Sequence, residues 1–173
     1  EILDNGTLAR YIAEFSVTGL TSNPTIFEHA IGGGSFYDEA IAGLARRGES
    51  GEELFFMLAL QDLTQAADLF RPIHDRTHGV DGWVSLEVSP LLANDTTKTI
   101  HAAAKLHAAA ARPNLYIKIP GTPAGIPAIE ESIYAGVPIN VTLLFSREQY
   151  LASAEAYLRG IERRLAQGLD PKV

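Results

Sequence analysis

The chain has 173 residues, with 14 Lys and Arg against 21 Asp and Glu, a formal charge of −7 and 46% hydrophobic residues. This composition excludes a disordered tail and a collagen-like chain. The absence of cysteine excludes disulfides and thiolate metal sites. The acidic balance argues against a nucleic-acid partner, which calls for a basic face. No apolar run approaches the ~20 residues of a membrane span, and no signal-peptide pattern opens the chain. No membrane partner is therefore expected, and the cytoplasm is the default compartment. The chain opens on Glu1-Ile2-Leu3-Asp4 without methionine and stops at Val173, so both ends look cut from a longer polypeptide.

In chain order, Leu3-Asp4-Asn5-Gly6 reads as a turn that opens a helix. Residues 17–23 are the first expected strand, followed by Asn23 as an N-cap and Pro24 at the first helical position. The long gap to Phe70 has room for extra helices. Gly32-Gly33-Gly34-Ser35 follows a helical stretch rather than a strand, so it reads as a flexible connection and not a phosphate loop. Phe56, Leu60, Leu63, Ala67 and Phe70 form an apolar stripe at helical spacing that Pro72 should close. A second strand is expected over 82–88, then a stripe of Ile100, Ala103, Leu106 and Ala110. A third strand covers 115–120, followed by Ile126, Ile129 and Ile133 with Gly136 as the stop. The fourth strand covers 139–144. Ser146 with Gln149 then predicts a capping box, and a helix runs to a stop at Gly168.

Strands alternating with helices imply a parallel sheet of βα units. Strand starts at 82, 115 and 139 lie 33 and 24 residues apart, close to one eighth of a barrel of ~250 residues. Successive strand residues face opposite ways. Val84, Leu86 and Val88, then Leu115, Ile117 and Ile119, give an aliphatic face. Ser85 and Glu87, then Tyr116 and Lys118, then Asn140 and Thr142, give a second face with polar groups near the strand ends. Buried parallel strands are usually apolar on both faces. A (β/α)8 TIM barrel explains the exception, because reactive groups sit at the C-terminal mouth of its strands. The expectation is one α/β domain over 1–173, a partial barrel.

Lys118 lies between two isoleucines in a strand ending Pro120-Gly121. Desolvation there disfavours the ammonium and frees the amine as a nucleophile toward a carbonyl. The alternative is a lysine that guards an edge strand. Glu87 is a candidate general acid–base or a structural ion-pair partner of Lys118. Thr142 and Asn140 can position a water and a substrate hydroxyl, or simply satisfy hydrogen bonds. His74 and His78 are four apart without an accompanying carboxylate motif, and His101 and His107 lie in an alanine-rich helix. No metal is expected.

These motifs resemble the transaldolase family. Thr21-Ser22-Asn23-Pro24-Thr25-Ile26-Phe27 is similar to one family signature, apart from Leu20 just before it, where a β-branched or small residue is more usual. Leu115-Tyr116-Ile117-Lys118-Ile119-Pro120-Gly121-Thr122 with Gly125 resembles the signature around the Schiff-base lysine. Ser85-Leu86-Glu87-Val88-Ser89-Pro90 and Asn140-Val141-Thr142-Leu143-Leu144-Phe145-Ser146 resemble two further segments. The long insertion after the first motif resembles the bacterial long-chain branch. The resemblance implies transfer of a dihydroxyacetone unit between sugar phosphates in the pentose phosphate pathway, without a cofactor. It implies Lys118 as the Schiff-base nucleophile, Glu87 and Thr142 as holders of the proton-transfer water, Asn23 and Asn140 as ligands of the dihydroxyacetone hydroxyls, and Thr21 and Ser85 as lining. It also implies an aspartate on a first strand and a phosphate-binding serine and arginine on later strands. None of these is found here, so the chain is expected to hold about strands two to five. The expected partners are sugar phosphates and either the other barrel half or another copy. Two alternatives stay open: a half-barrel module without turnover, and a fructose 6-phosphate aldolase that releases free dihydroxyacetone.

Overall fold

Short strands are separated by one or more helices in the computed structural model, which describes residues 2–173. They fall into two compact units. One contains the residues up to Leu86 with Arg112–Leu115; the other contains Glu87–Ala111 with Tyr116–Val173.

In the first unit, Asn5 Oδ1 accepts the Thr7 N–H at 2.9 Å after the opening turn, and α1 runs over Thr7–Phe15. Strand β1 is Leu20–Thr21, much shorter than the expected 17–23. The Val17 N–H turns back to the Tyr11 carbonyl and the Thr18 carbonyl accepts from Gly82, so neither joins a ladder. Helices α2 (Pro24–Gly32), α3 (Asp38–Arg46) and α4 (Gly51–Arg76) occupy the long gap. Asn23 caps α2 as expected, its Oδ1 accepting the Ile26 N–H at 2.8 Å.

Helix α4 corrects one expectation, because it passes through Pro72 instead of ending there. Proline removes one N–H donor from a helix. Here the buried stripe of Leu58, Leu63, Ala67 and Phe70 continues to Ile73, one residue beyond the proline, so burial sustains another turn. The helix closes at Thr77, whose N–H bonds the Ile73 carbonyl.

Strand β2 is Val84–Glu87 and pairs in parallel with β1 in the register Leu20↔Val84 and Thr21↔Ser85. It starts later than the expected position 82 because Gly82 has φ +83, and a Cβ there would lie 2.3 Å from the His74 nitrogen. Asn114 is fully buried. Its side-chain amide donates to the carbonyls of Ala67 and Gly82 at 2.8 and 2.9 Å, while its backbone carbonyl accepts the Val84 N–H at 3.0 Å. This one residue fastens α4 to the start of β2. Nearby, Arg112 grips Asp68 with two bonds of 2.6 and 2.9 Å.

In the second unit the Val88 N–H donates to the Lys118 carbonyl at 3.1 Å. Strand β3 covers Leu115–Pro120, as expected, and pairs in parallel with β4 (Ile139–Thr142). The strand order is β1-β2-β3-β4. Strand β4 ends two residues before the expected 144, because Leu143 takes φ +60 and breaks the extended backbone. The aliphatic face is buried as the alternation requires: Val84, Leu86, Val88, Leu115, Ile117 and Ile119 are all at most 2% exposed.

Helix α5 (Thr96–Ala110) starts at an Asp95 cap, and α6 covers Gly125–Tyr134. Helix α7 (Arg147–Ala166) starts at the predicted capping box of Ser146 and Gln149. Helices α6 and α7 approach closely at Gly160, where a Cβ would lie 2.8 Å from Ile133 and 2.9 Å from the Glu130 carbonyl. Arg159 and Arg163 of α7 pair with Glu130 and Glu131 of α6, and the Arg163 guanidinium stacks 4.2 Å above the Tyr134 ring. The architecture is α/β with parallel strand pairs. No described helix is long and apolar enough to cross a membrane.

Candidate active site

Lys118 is held by the regular alternation of β3, with Ile117 and Ile119 turned into the fully buried aliphatic face. Its side chain therefore emerges on the opposite face, as does that of its register partner Asn140. Thr142 follows two residues later on β4, opposite Pro120, and shares that face. Glu87 is the last residue of β2. Its Oε2 lies 3.1 Å from the Lys118 Nζ, with the two side chains only 15% and 11% exposed. The second unit thus brings Lys118, Glu87, Asn140 and Thr142 onto the facing positions of three neighbouring strands.

A carboxylate at 3.1 Å is within the ~2.6–3.2 Å reach of direct proton exchange with the amine. Both groups are largely withdrawn from water, which strengthens their attraction. The structural reading of Glu87, as ion-pair partner, and its chemical reading use the same contact.

In the first unit, Thr21 and Ser85 are register partners on β1 and β2. Ser85 is buried and Thr21 exposed. The Ser22 hydroxyl donates to the Ser85 carbonyl at 2.9 Å and so holds that end of β1 against β2. Asn23 is half-buried, with its side-chain oxygen occupied by the α2 cap.

Asp4 lies in the opening turn and not on a strand. It lines a cleft of about 310 Å³ with Tyr37 and Asp62, whose side chains share a 2.6 Å hydrogen bond. Burial pushes the Tyr37 phenol up, with help from the hydrogen bond to Asp62, and burial also raises the Asp62 carboxyl. Of the histidines, His74 lies 3.4 Å from Asp75 near the end of α4, while burial lowers the half-buried His107. Among the described residues no group of three His, Asp or Glu is arranged to hold a metal ion.

Three residues were missed from the sequence. Asn114 sits in Arg-Pro-Asn-Leu, where a loop asparagine gives no sign that it is buried. Thr122 donates to the Ala93 carbonyl, and Thr96 donates to the Ala124 carbonyl. Both threonines stand beside helix starts, where a hydroxyl suggests a cap rather than a cross-link between loops.

A nearly buried lysine paired to a carboxylate on adjacent parallel strands is a site suited to amine-based carbonyl chemistry. Residues 2–168 match the transaldolase/fructose-6-phosphate aldolase family, and the chain belongs to that family. It is 49% identical to "Transaldolase 1" of Streptomyces avermitilis over 97% of its own length and 44% of the relative's. It is 44% identical to the transaldolase of Trichodesmium erythraeum, covering 98% of this chain and 44% of that one. It is 47% identical to the transaldolase of Thermobifida fusca, covering 97% and 46%. The chain therefore spans less than half the length of these relatives.

Proposed function

We propose that this polypeptide carries the Schiff-base portion of a transaldolase site, with Lys118 as nucleophile. The observation that supports it most is the 3.1 Å Lys118–Glu87 pair at the end of β2. In the proposed first step the Lys118 ammonium passes a proton to Glu87. The free amine then adds to the C2 carbonyl of a ketose phosphate such as fructose 6-phosphate. Glu87 returns the proton as the carbinolamine loses water, leaving a protonated Schiff base. Breaking the C3–C4 bond moves its electron pair into that iminium. The products are an aldose phosphate and a dihydroxyacetone enamine on Lys118. The enamine adds to an acceptor aldose phosphate, and hydrolysis releases the new ketose. No separate cofactor is needed in this scheme, because the iminium is the electron sink.

Thr142 and Glu87 would hold the water that relays protons. The Asn140 amide, in register with Lys118, would bind a dihydroxyacetone hydroxyl, and the Asn23 amide N–H groups would bind another. Thr21 and Ser85 would line the pocket. The proton on the C4 hydroxyl goes, by the family resemblance, to an aspartate outside β1–β4. The four strands would be about strands two to five of a (β/α)8 barrel domain, completed by the remaining half or by another copy. A cytoplasmic location fits sugar-phosphate substrates.

The test is incubation with fructose 6-phosphate and borohydride, followed by peptide mapping by mass spectrometry. A reduced three-carbon adduct on Lys118, absent from Lys118→Met, is expected. An unmodified Lys118 in protein that stays folded would sink the proposal. Free dihydroxyacetone as the main product would instead favour the aldolase.

A further inference from the structure

We propose that Thr122 and Thr96 are positioning residues, a reciprocal clasp that fixes the separation of Glu87 and Lys118. The proposal rests on Lys118 being the Schiff-base lysine, and the experiment below separates the two ideas.

Glu87 ends β2, and the Val88 N–H to Lys118 carbonyl bond follows immediately. The chain beyond Val88 enters a 3₁₀ turn over Pro90–Leu92, with Ser89 bonding the Leu91 N–H and Thr99 bonding the Leu92 carbonyl. Two residues past the end of β3, the chain reaches Thr122. Its hydroxyl donates at 2.5 Å to the Ala93 carbonyl in the loop that follows Glu87, and accepts the Gly125 N–H at 3.0 Å. The second bond runs the other way. Thr96, the first residue of α5, donates at 2.7 Å to the Ala124 carbonyl in the loop that follows Lys118. Thr96 is not needed as a cap, since Asp95 fills that role. Gly125 keeps the Lys118 loop tight, because a Cβ there would lie 1.9 Å from the Pro120 carbonyl oxygen.

Two loops, each leaving one of the paired residues, are thus joined by two hydrogen bonds of opposite sense. If they parted by about 1 Å, the 3.1 Å ion pair would exceed the ~3.2 Å limit for direct proton exchange. Misplacement on that scale costs on the order of 100-fold in rate.

The experiment compares wild type, Thr122→Val, Thr122→Ser and Thr96→Val by two modifications of Lys118, each followed by peptide mapping. One is trapping with fructose 6-phosphate and borohydride. The other uses formaldehyde and borohydride without sugar; it also needs the free amine, but with so small a carbonyl the buffer can take and return the protons once the amine is exposed to water. The clasp predicts opposite signs. Thr122→Val slows ketose trapping by ~10–100-fold while formaldehyde modification becomes faster. Thr122→Ser, which keeps the hydroxyl, restores both rates. Thr96→Val shifts both in the same directions and serves if Thr122→Val does not fold. Unchanged formaldehyde rates in the folded valine variants overturn the clasp, as does a Thr122→Ser protein that behaves like Thr122→Val. If wild type takes no ketose adduct, the Schiff-base proposal fails, and the formaldehyde rates alone decide the clasp.

Discussion

Replacing Lys118 and Glu87 together with apolar residues should leave the fold as stable as before, or more so. At 3.1 Å, and with an effective dielectric of about 20, the attraction is about 5 kcal/mol. Against it stands desolvation of several kcal/mol for each ion, and the side chains are only 11% and 15% exposed. The two contributions roughly cancel, so the pair adds little net stability. A single replacement behaves differently. Glu87→Gln takes the carboxylate from the lysine, and Lys118→Met leaves the carboxylate without the ammonium. Each should cost about 3–5 kcal/mol. Glu87→Leu with Lys118→Met removes both charges, and leaves Ile117, Ile119 and Leu86 on the reverse face untouched. That double variant should fall within about 1 kcal/mol of wild type or exceed it by ~1–4 kcal/mol. Urea denaturation of the four proteins, with the same slope in each, gives the cycle. A double variant weaker than both singles would refute this account and make the pair a structural fastening.

Three further outcomes follow from other residues. The Glu130 carboxyl is held low, first by its bond to Arg159 and then by Arg163, both partly exposed. A depressed carboxyl adds stability above its unfolded value near 4.5, and that stability fades as pH falls through the lower folded value; Glu130→Gln should flatten the acid limb of a melting-temperature profile. Leu143 is half-exposed with φ +60, so Leu143→Gly should raise the urea-derived stability by about 1 kcal/mol through relief of left-handed backbone strain. Asn114→Leu removes two buried bonds at once and should cost about 2–4 kcal/mol by the same assay.

Where a signal was local, the sequence carried it. Strand β3 stood out because Leu115, Ile117 and Ile119 alternate with Tyr116 and Lys118 and stop at Pro120-Gly121. The Asn23 cap and the Ser146–Gln149 box were visible because cap chemistry works over three residues. The misses turned on burial, backbone geometry and hydrogen bonds that local propensity does not encode. Pro72 does not end α4, because Ile73 beyond it finds a buried place. Strand β1 shrinks because Thr18 and Val17 are drawn to Gly82 and Tyr11. Leu143 turns left-handed although 139–144 reads as a strand. Within the site, strand alternation placed Lys118, Asn140 and Thr142 on one face. The threonine cross-links stayed hidden because their carbonyl partners lie 28 and 29 residues away in the chain.

The first unit is discontinuous in the chain, since Arg112–Leu115 completes it after the second unit has begun. Emergence from the ribosome therefore does not finish the two units in turn. At roughly 5–20 residues per second, the stretch ending at Leu86 waits on the order of seconds for Asn114, the residue that bridges the Ala67 and Gly82 carbonyls. During that interval the buried face of α4 lacks a fastener that only later synthesis supplies. A nick within 87–111 of the finished protein separates the same fastener from its helix in covalent terms. Neither unit is an uninterrupted block of sequence, so neither can be synthesised, cut out or exchanged as one piece.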